Sequence, residues 1–99
     1  MVHNLGMVAW DKFDQPFAFD WAQEASDKMK KAILSGDHTS LINFHSQGRA
    51  FDLAINSSEH FLPLLYTLAL QNKDEQATLF NDKAMAGSLT MTAVRIGKV

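Results

Sequence analysis

The segment from Ser88 to Ile96 most constrains the fold of this 99-residue chain, because it alternates in polarity and is rich in β-branched residues. Such a pattern is typical of a β-strand, here entered through Gly87. A strand has hydrogen-bonding edges that need partners, and the sequence offers only the apolar stretch before Trp10 and a less clear segment at 51–55. We therefore expect an α/β fold with too few strands for a complete sheet, which is a first hint of missing sequence.

About three helices are predicted. The first begins at Trp21, with Asp20 as its N-cap, and stops at Gly36, which offers a left-handed terminus. Its apolar stripe at helical spacing consists of Trp21, Ala25, Met29, Ala32 and Ile33. A shorter second helix is expected from Asp37 to Phe44, because Ser46-Gln47-Gly48 then breaks the pattern.

The third helix is predicted to start with Ser57 as its cap. The residues from Phe61 to Ala69 are apolar nearly all round, which is typical of a deeply buried helix. Pro63 falls in or just past the first turn, where its missing N–H costs least.

Length and composition favour one domain, residues 1–99, with a modest core. A net charge of −2 with dispersed Lys and Arg gives no electrostatic basis for nucleic-acid binding. The N-terminus lacks the pattern of a signal peptide, and the apolar stretch from Phe61 to Leu70 is too short to span a bilayer, so we expect a cytoplasmic protein without membrane partners. Because the chain has no cysteine, any metal must be held by His, Asp or Glu.

Four histidines, His3, His38, His45 and His60, are the candidates for metal binding or acid–base chemistry near neutral pH. They do not form a short ligand motif such as H-E-x-x-H. His38 and His45 lie in polar, turn-like surroundings, so we interpret them as solvated side chains.

Local patterns leave the other two histidines open. His60 falls in the first turn of the third helix, where the helix dipole favours the neutral imidazole that a metal needs, but the local pattern favours a capping or packed histidine over a ligand. The adjacent Glu59 points about 100° away on a helix, so both are not expected to hold one ion. His3 lies near an expected strand end, a frequent place for functional groups in open α/β sheets, or is simply a frayed terminal residue.

A resemblance to a known family adds to these patterns. The segments Val2-His3-Asn4-Leu5, Trp21-Ala22, Glu59-His60-Phe61-Leu62-Pro63-Leu64-Leu65-Tyr66 and Gly87-Ser88-Leu89-Thr90-Met91 resemble, in order and approximate spacing, the C-terminal third of DODA-type class III extradiol dioxygenases. The segment from Glu59 to Tyr66 is the specific part, because it is similar to that family's E-H-[FY]-L-P-L-L-Y helix.

The resemblance implies an α/β enzyme more than twice this length, in which one iron(II) or zinc(II) ion and dioxygen open the ring of a catechol-type aromatic diol. The chain is then the C-terminal fragment of an open α/β sheet fold, whose sheet is incomplete without an N-terminal part. It implies that His60 is a metal ligand and that His3 exchanges protons with the substrate without binding the metal. The two remaining metal-binding histidines then belong to a region before residue 1. The partner is accordingly an N-terminal polypeptide that supplies them, or another copy of the chain.

The competing hypothesis is a non-catalytic small α/β binding or assembly module, in which the exposed sheet edge and apolar helix faces pair with another chain. The two hypotheses differ in one geometric respect. A dioxygenase fragment requires His3 and His60 to face a shared cavity, whereas an assembly module leaves them far apart or buried against protein.

Overall fold

The computed structural model of the chain describes residues 1–57 and 59–98. These residues form four α-helices and four short β-strands: α1 Asp20–Ser35, α2 His38–Ile42, α3 Arg49–Ala54, α4 Phe61–Ala69, β1 Gln76–Phe80, β2 Ala84–Met85, β3 Leu89–Thr90 and β4 Ala93–Gly97. The predicted α/β class is confirmed. The described part of the chain has one helix more than the roughly three that were predicted.

Helix α1 is the element that the pattern predicted best. Ala25, Met29 and Ile33 from its apolar stripe are buried. Gly36 adopts a left-handed conformation with φ of 75°, and its N–H donates to the carbonyls of the last turn. The predicted N-cap is wrong by one residue, because the helix starts at Asp20 itself. Phe19 is at the N-cap position, and the negative charge of Asp20 in the first turn suits the positive end of the helix dipole.

The segment at 51–55, considered as a partner strand, is helical, so that prediction is wrong. Helix α3 packs against α1 and buries Ala50, Phe51 and Ala54. Phe51 and Ala54 are three residues apart and share a helix face, so a helix brings both into the core together. Burial against α1 thus overrides the strand-like preference of this short apolar run.

The second predicted helix is shorter than expected. Helix α2 ends at Ile42, and a 3-10 turn over Phe44–Gln47 follows it. Asp37 caps α2, because its carboxylate accepts hydrogen bonds from the backbone N–H of Ser40 at 3.2 Å and from the Ser40 hydroxyl at 2.6 Å.

Helix α4 differs from its prediction in both start and burial. It begins at Phe61, with His60 at the N-cap position, so Ser57 does not cap it. The described residues of α4 bury only Phe61 and Leu68, which lie two turns apart on one face, whereas Tyr66 is 71% exposed. The prediction that α4 is deeply buried on all sides is therefore wrong.

No helix within residues 1–57 and 59–98 has the length and apolar character that crossing a membrane requires.

The predicted strand from Ser88 to Ile96 is divided into β3 and β4, with a break at Met91 and Thr92. Strand β4 pairs antiparallel with β1, from Gln76 opposite Gly97 to Phe80 opposite Ala93, and β2 pairs antiparallel with β3. Strand β1 was not among the predicted partners. The sheet thus finds a partner within the chain that its sequence pattern did not reveal.

The segment before Trp10 does pair with the C-terminal strand region, as predicted. His3 forms an antiparallel bridge with Leu89, and the N–H of Thr90 donates to the carbonyl of Val2 at 3.0 Å. The N–H of Asn4 donates to the carbonyl of Ser88 at 3.2 Å. This pairing places the first four residues along β3.

Candidate functional site

His3 and His60 are brought into contact by the fold. Their ring centroids lie 3.9 Å apart, and the ring planes are tilted by 36°. His3 lies on the N-terminal segment beside β3, and His60 immediately precedes α4. Two histidines that are distant in sequence therefore form one side-chain pair, which we call the histidine pair.

Backbone and side-chain hydrogen bonds hold His3 in place. Its N–H donates to the carbonyl of Ala54 at the end of α3, at 3.0 Å. The next residue, Asn4, is buried, and its side-chain amide donates to the carbonyl of Leu53 at 2.7 Å. The Ser88 hydroxyl donates to the Asn4 carbonyl, also at 2.7 Å. His3 is thus tied to α3 on one side and to the β2–β3 turn on the other, and Asn4 emerges as a positioning residue.

His60 is exposed, but the helix start beside it is anchored. Phe61 is buried, and its ring meets the ring of Phe44 edge-on with centroids 5.0 Å apart. This aromatic contact fixes the first turn of α4 against the turn that follows α2. The His60 ring accordingly projects from a packed helix end and remains accessible to a ligand.

The surroundings of His3 favour its neutral form. Partial desolvation is the main cause that lowers the pKa of His3, and the neighbouring His60 and the Met1 ammonium lower it further. The Glu59 carboxylate opposes this change. The pKa of Glu59 is itself lowered, mainly by a hydrogen bond from the Ser57 hydroxyl, so this residue stays ionised. A neutral imidazole at His3 can accept a proton.

The histidine pair opens into a cavity of about 430 Å³. Its lining consists of Met1, Val2, His3, Phe13, His60, Met85, Leu89, Thr90, Met91 and Thr92. The two threonine hydroxyls are already engaged. Thr90 Oγ1 accepts from the N–H of Val2 at 3.0 Å, and Thr92 Oγ1 donates to Asp82 at 2.7 Å. The imidazoles are therefore the side-chain groups of this lining that are left to bind the polar part of a ligand.

The residues of the histidine pair do not complete a metal site. Within residues 1–57 and 59–98, no group of three or more His, Cys, Asp or Glu side chains converges on one point. Catalytic zinc sites have three protein ligands, and non-haem iron(II) sites have a comparable triad. The exposed imidazole of His60 could occupy one ligand position of such a site.

The remaining two histidines lie elsewhere. His45 is exposed, as expected for a solvated side chain, and its Nδ1 lies 3.5 Å from Asp52 Oδ1. His38 is half-buried, with Nε2 3.1 Å from Oε1 of Gln71, so full solvation is wrong for this residue. A larger cleft of about 590 Å³ borders His38. The lining of that cleft includes no second histidine, whereas the cavity at the histidine pair has two.

Comparison with known proteins shows a distant relationship to an extradiol dioxygenase. The chain is 31% identical over 102 residues to "4,5-DOPA dioxygenase extradiol" of Escherichia coli (strain K12), an alignment that covers 98% of this chain and 36% of that protein. The chain thus spans about a third of the length of the curated relative it matches. No protein-family model matches it, and no solved structure gives a significant match.

Proposed function

We propose that the chain is part of a metal-dependent extradiol dioxygenase that opens the ring of a catechol-type aromatic diol. The observation that carries this proposal is the histidine pair, whose rings lie 3.9 Å apart at a shared cavity. The distant relationship to the E. coli enzyme supports the same reaction class.

In this proposal His60 provides one imidazole ligand to iron(II) or zinc(II). Its place at an anchored helix start keeps the ring position defined. A metal held by His60 would supply Lewis acidity toward the diol. The ligands that complete its coordination come from an N-terminal polypeptide or from another copy of the chain.

His3 acts as the base in this proposal. A catechol hydroxyl must lose its proton before its oxygen becomes a strong ligand for a metal. A neutral imidazole within hydrogen-bond reach can accept that proton. Desolvation and the adjacent His60 keep His3 neutral, and the backbone bond to Ala54 holds its main chain in place. The same ring can later return the proton, because its conjugate acid is a moderately strong donor near neutral pH.

The proposal is tested with a chimera in which this chain replaces the matched region of the E. coli relative. Oxygen uptake with a catechol and metal content after anaerobic loading with iron(II) are the two readouts. We expect His60→Ala to abolish metal retention. We expect His3→Ala to retain the metal and to lower turnover by about 10²- to 10⁴-fold, the usual contribution of a general base.

His45→Ala serves as the matched control, because this histidine is exposed and lies outside the cavity lining. It should change neither readout. Equal loss of metal from His3→Ala and His60→Ala would refute their separate roles. A folded, metal-loaded chimera that consumes no oxygen with any catechol would refute the proposed reaction.

A second candidate function is the non-catalytic assembly module, which the exposed apolar face of α4 favours. Leu62 and Tyr66 on this helix are 43% and 71% exposed, and Leu70 at its C-cap is 80% exposed. Analytical ultracentrifugation of the isolated chain tests this function, with Leu70→Glu as the disrupting variant. Association that Leu70→Glu abolishes, together with an inactive chimera, would favour the assembly module over the dioxygenase.

A further inference from the structure

We propose that Trp10, Phe13 and Met91 form a docking surface for the polypeptide that corresponds to the unmatched part of the E. coli relative. This inference rests on the proposed function, in which further ligands complete a metal site at the histidine pair. It goes beyond that function because it names the residues of this chain that the completing polypeptide contacts.

Trp10 and Phe13 present a preformed aromatic surface. Their rings stack with centroids 5.5 Å apart and an angle of 5° between the ring planes. Trp10 is 65% exposed and Phe13 43% exposed, and the 3-10 turn Trp10–Lys12 is exposed throughout. The two rings thus pack on each other at the surface and leave apolar area in contact with water, which is unfavourable until a partner covers it.

Backbone hydrogen bonds hold this turn in place at both ends. The N–H of Ala9 donates to the carbonyl of Ala86 at 2.9 Å, and the N–H of Ala86 donates to the carbonyl of Gln15 at 3.2 Å. Ala86 itself is fully buried. An anchored backbone therefore displays the two rings, so a partner that binds them loses little conformational entropy in ordering the turn.

The docking surface continues into the cavity at the histidine pair. Phe13 and Met91 line this cavity together with the two imidazoles, and Met91 is 48% exposed. A polypeptide that covers the stacked rings therefore also reaches the edge of the cavity, where the proposed function requires further metal ligands. Within the described part of the chain, the lining includes neither Leu62 nor Tyr66 of α4, so the exposed face of that helix lacks this connection.

The length of the E. coli relative supports this occupant. The alignment covers 36% of that protein, so nearly two thirds of it have no counterpart in these 99 residues. A polypeptide of that size can bury an interface of standard size, about 800 Å² on each partner. Aromatic residues and methionine are enriched in such interfaces, and exposed charges such as Asp11 and Asp14 beside the rings are typical of their polar rim.

Hydroxyl-radical footprinting with residue-resolved mass spectrometry tests this inference without metal or substrate. The isolated chain is compared with the chimera in which it replaces the matched region of the E. coli relative. We expect the oxidation rates of Trp10 and Phe13 to fall at least about fivefold in the chimera, because docking excludes water from them. Tyr66 is the control residue, since it is 71% exposed and lies outside the cavity lining, and its rate should change by less than about twofold.

Trp10→Glu supplies a second measurement. It places a carboxylate where the partner would bury it, so docking should weaken. The protection of Phe13 in the chimera, measured against the isolated chain with the same substitution, should then fall at least about twofold. Ile42→Glu is the matched control, because Ile42 on α2 is 62% exposed and lies outside the cavity lining, and it should leave the protection of Phe13 unchanged.

Two results would overturn the inference. One is a folded chimera in which Trp10 and Phe13 keep the oxidation rates of the isolated chain. The other is protection of both residues in the isolated chain as its concentration rises, which would assign the docking surface to a second copy. Protected rings in a metal-loaded chimera without oxygen uptake would refute the proposed reaction alone, whereas turnover by a chimera with unprotected rings would refute this inference alone.

Discussion

Replacing Gly87 with alanine tests the close approach that holds the β2–β3 turn against the segment before α1. The Gly87 N–H donates to the carbonyl of Phe17 at 3.0 Å, and its carbonyl accepts from the N–H of Phe19 at 2.8 Å. An added Cβ would lie 2.6 Å from Cζ and 2.8 Å from Cδ2 of the Phe19 ring. Gly87 also has a φ of 82°, a conformation that L-residues with a side chain rarely adopt.

The magnitude follows from these two costs. The left-handed backbone costs alanine about 1 to 2 kcal/mol. The clash has to be relieved by moving the Phe19 ring, which lies between Phe17, at 5.5 Å, and Trp21, at 6.2 Å between ring centroids. Overpacking of this kind costs about 1 to 3 kcal/mol. The expected loss of unfolding free energy is therefore about 2 to 5 kcal/mol, or a fall in Tm of roughly 8 to 40 °C.

Urea denaturation followed by circular dichroism measures this loss. Gly36→Ala is the matched control, because Gly36 has a φ of 75° but no atom within 4 Å of an added Cβ, so only the backbone cost remains. Gly87→Ala should also be less costly in a Phe19→Ala background. Equal losses for Gly87→Ala and Gly36→Ala would refute the clash, as would a cost of Gly87→Ala that Phe19→Ala does not reduce.

Two further predictions concern stability. Leu41→Ala should lower the free energy of unfolding by about 2 to 5 kcal/mol, because Leu41 is fully buried, whereas Leu70→Ala at an 80% exposed position should change it by less than about 0.5 kcal/mol. Similar losses in urea melts would contradict this burial. Hydrogen bonds from Thr92 and Lys30 lower the pKa of Asp82 from 3.8, so its contribution is present above about pH 4 and is lost as the pH falls through the folded-state pKa. Asp82→Asn should therefore lower stability at pH 7 and flatten its acid dependence, and unchanged urea midpoints at both pH 7 and pH 3 would contradict this role.

The helical periodicity of α1 was sufficient to predict its buried face and its end at Gly36. A 16-residue helix repeats its apolar pattern over several turns, so one residue that departs from the pattern does not hide the periodicity. Short elements have no such repetition. The run at 51–55 was compatible with a strand, and only packing of Phe51 and Ala54 against α1 decides that it is a helix.

Strand β1 is a second short element that the sequence pattern did not predict. Its residues Gln76 to Phe80 alternate in exposure once the strand is paired, but the sequence pattern did not distinguish them from the polar loop that precedes them. Their partner is β4, and pairing depends on where the chain returns after Thr92. Strand partnership is a property of two distant segments, and neither segment carries it alone.

The residues of the candidate site divide in a similar way. By itself, the sequence determined that a chain without cysteine has histidines as its main candidates for metal binding and acid–base chemistry. The resemblance of the surrounding motifs to a known family then singled out His3 and His60. Only the tertiary structure decided that their rings lie 3.9 Å apart. It also decided that Met85, Met91 and Phe13 line the same cavity. The physical reason is that residue type and periodicity are local properties, whereas a cavity exists only where hydrogen bonds such as those of Asn4 and Ser88 hold separate segments together.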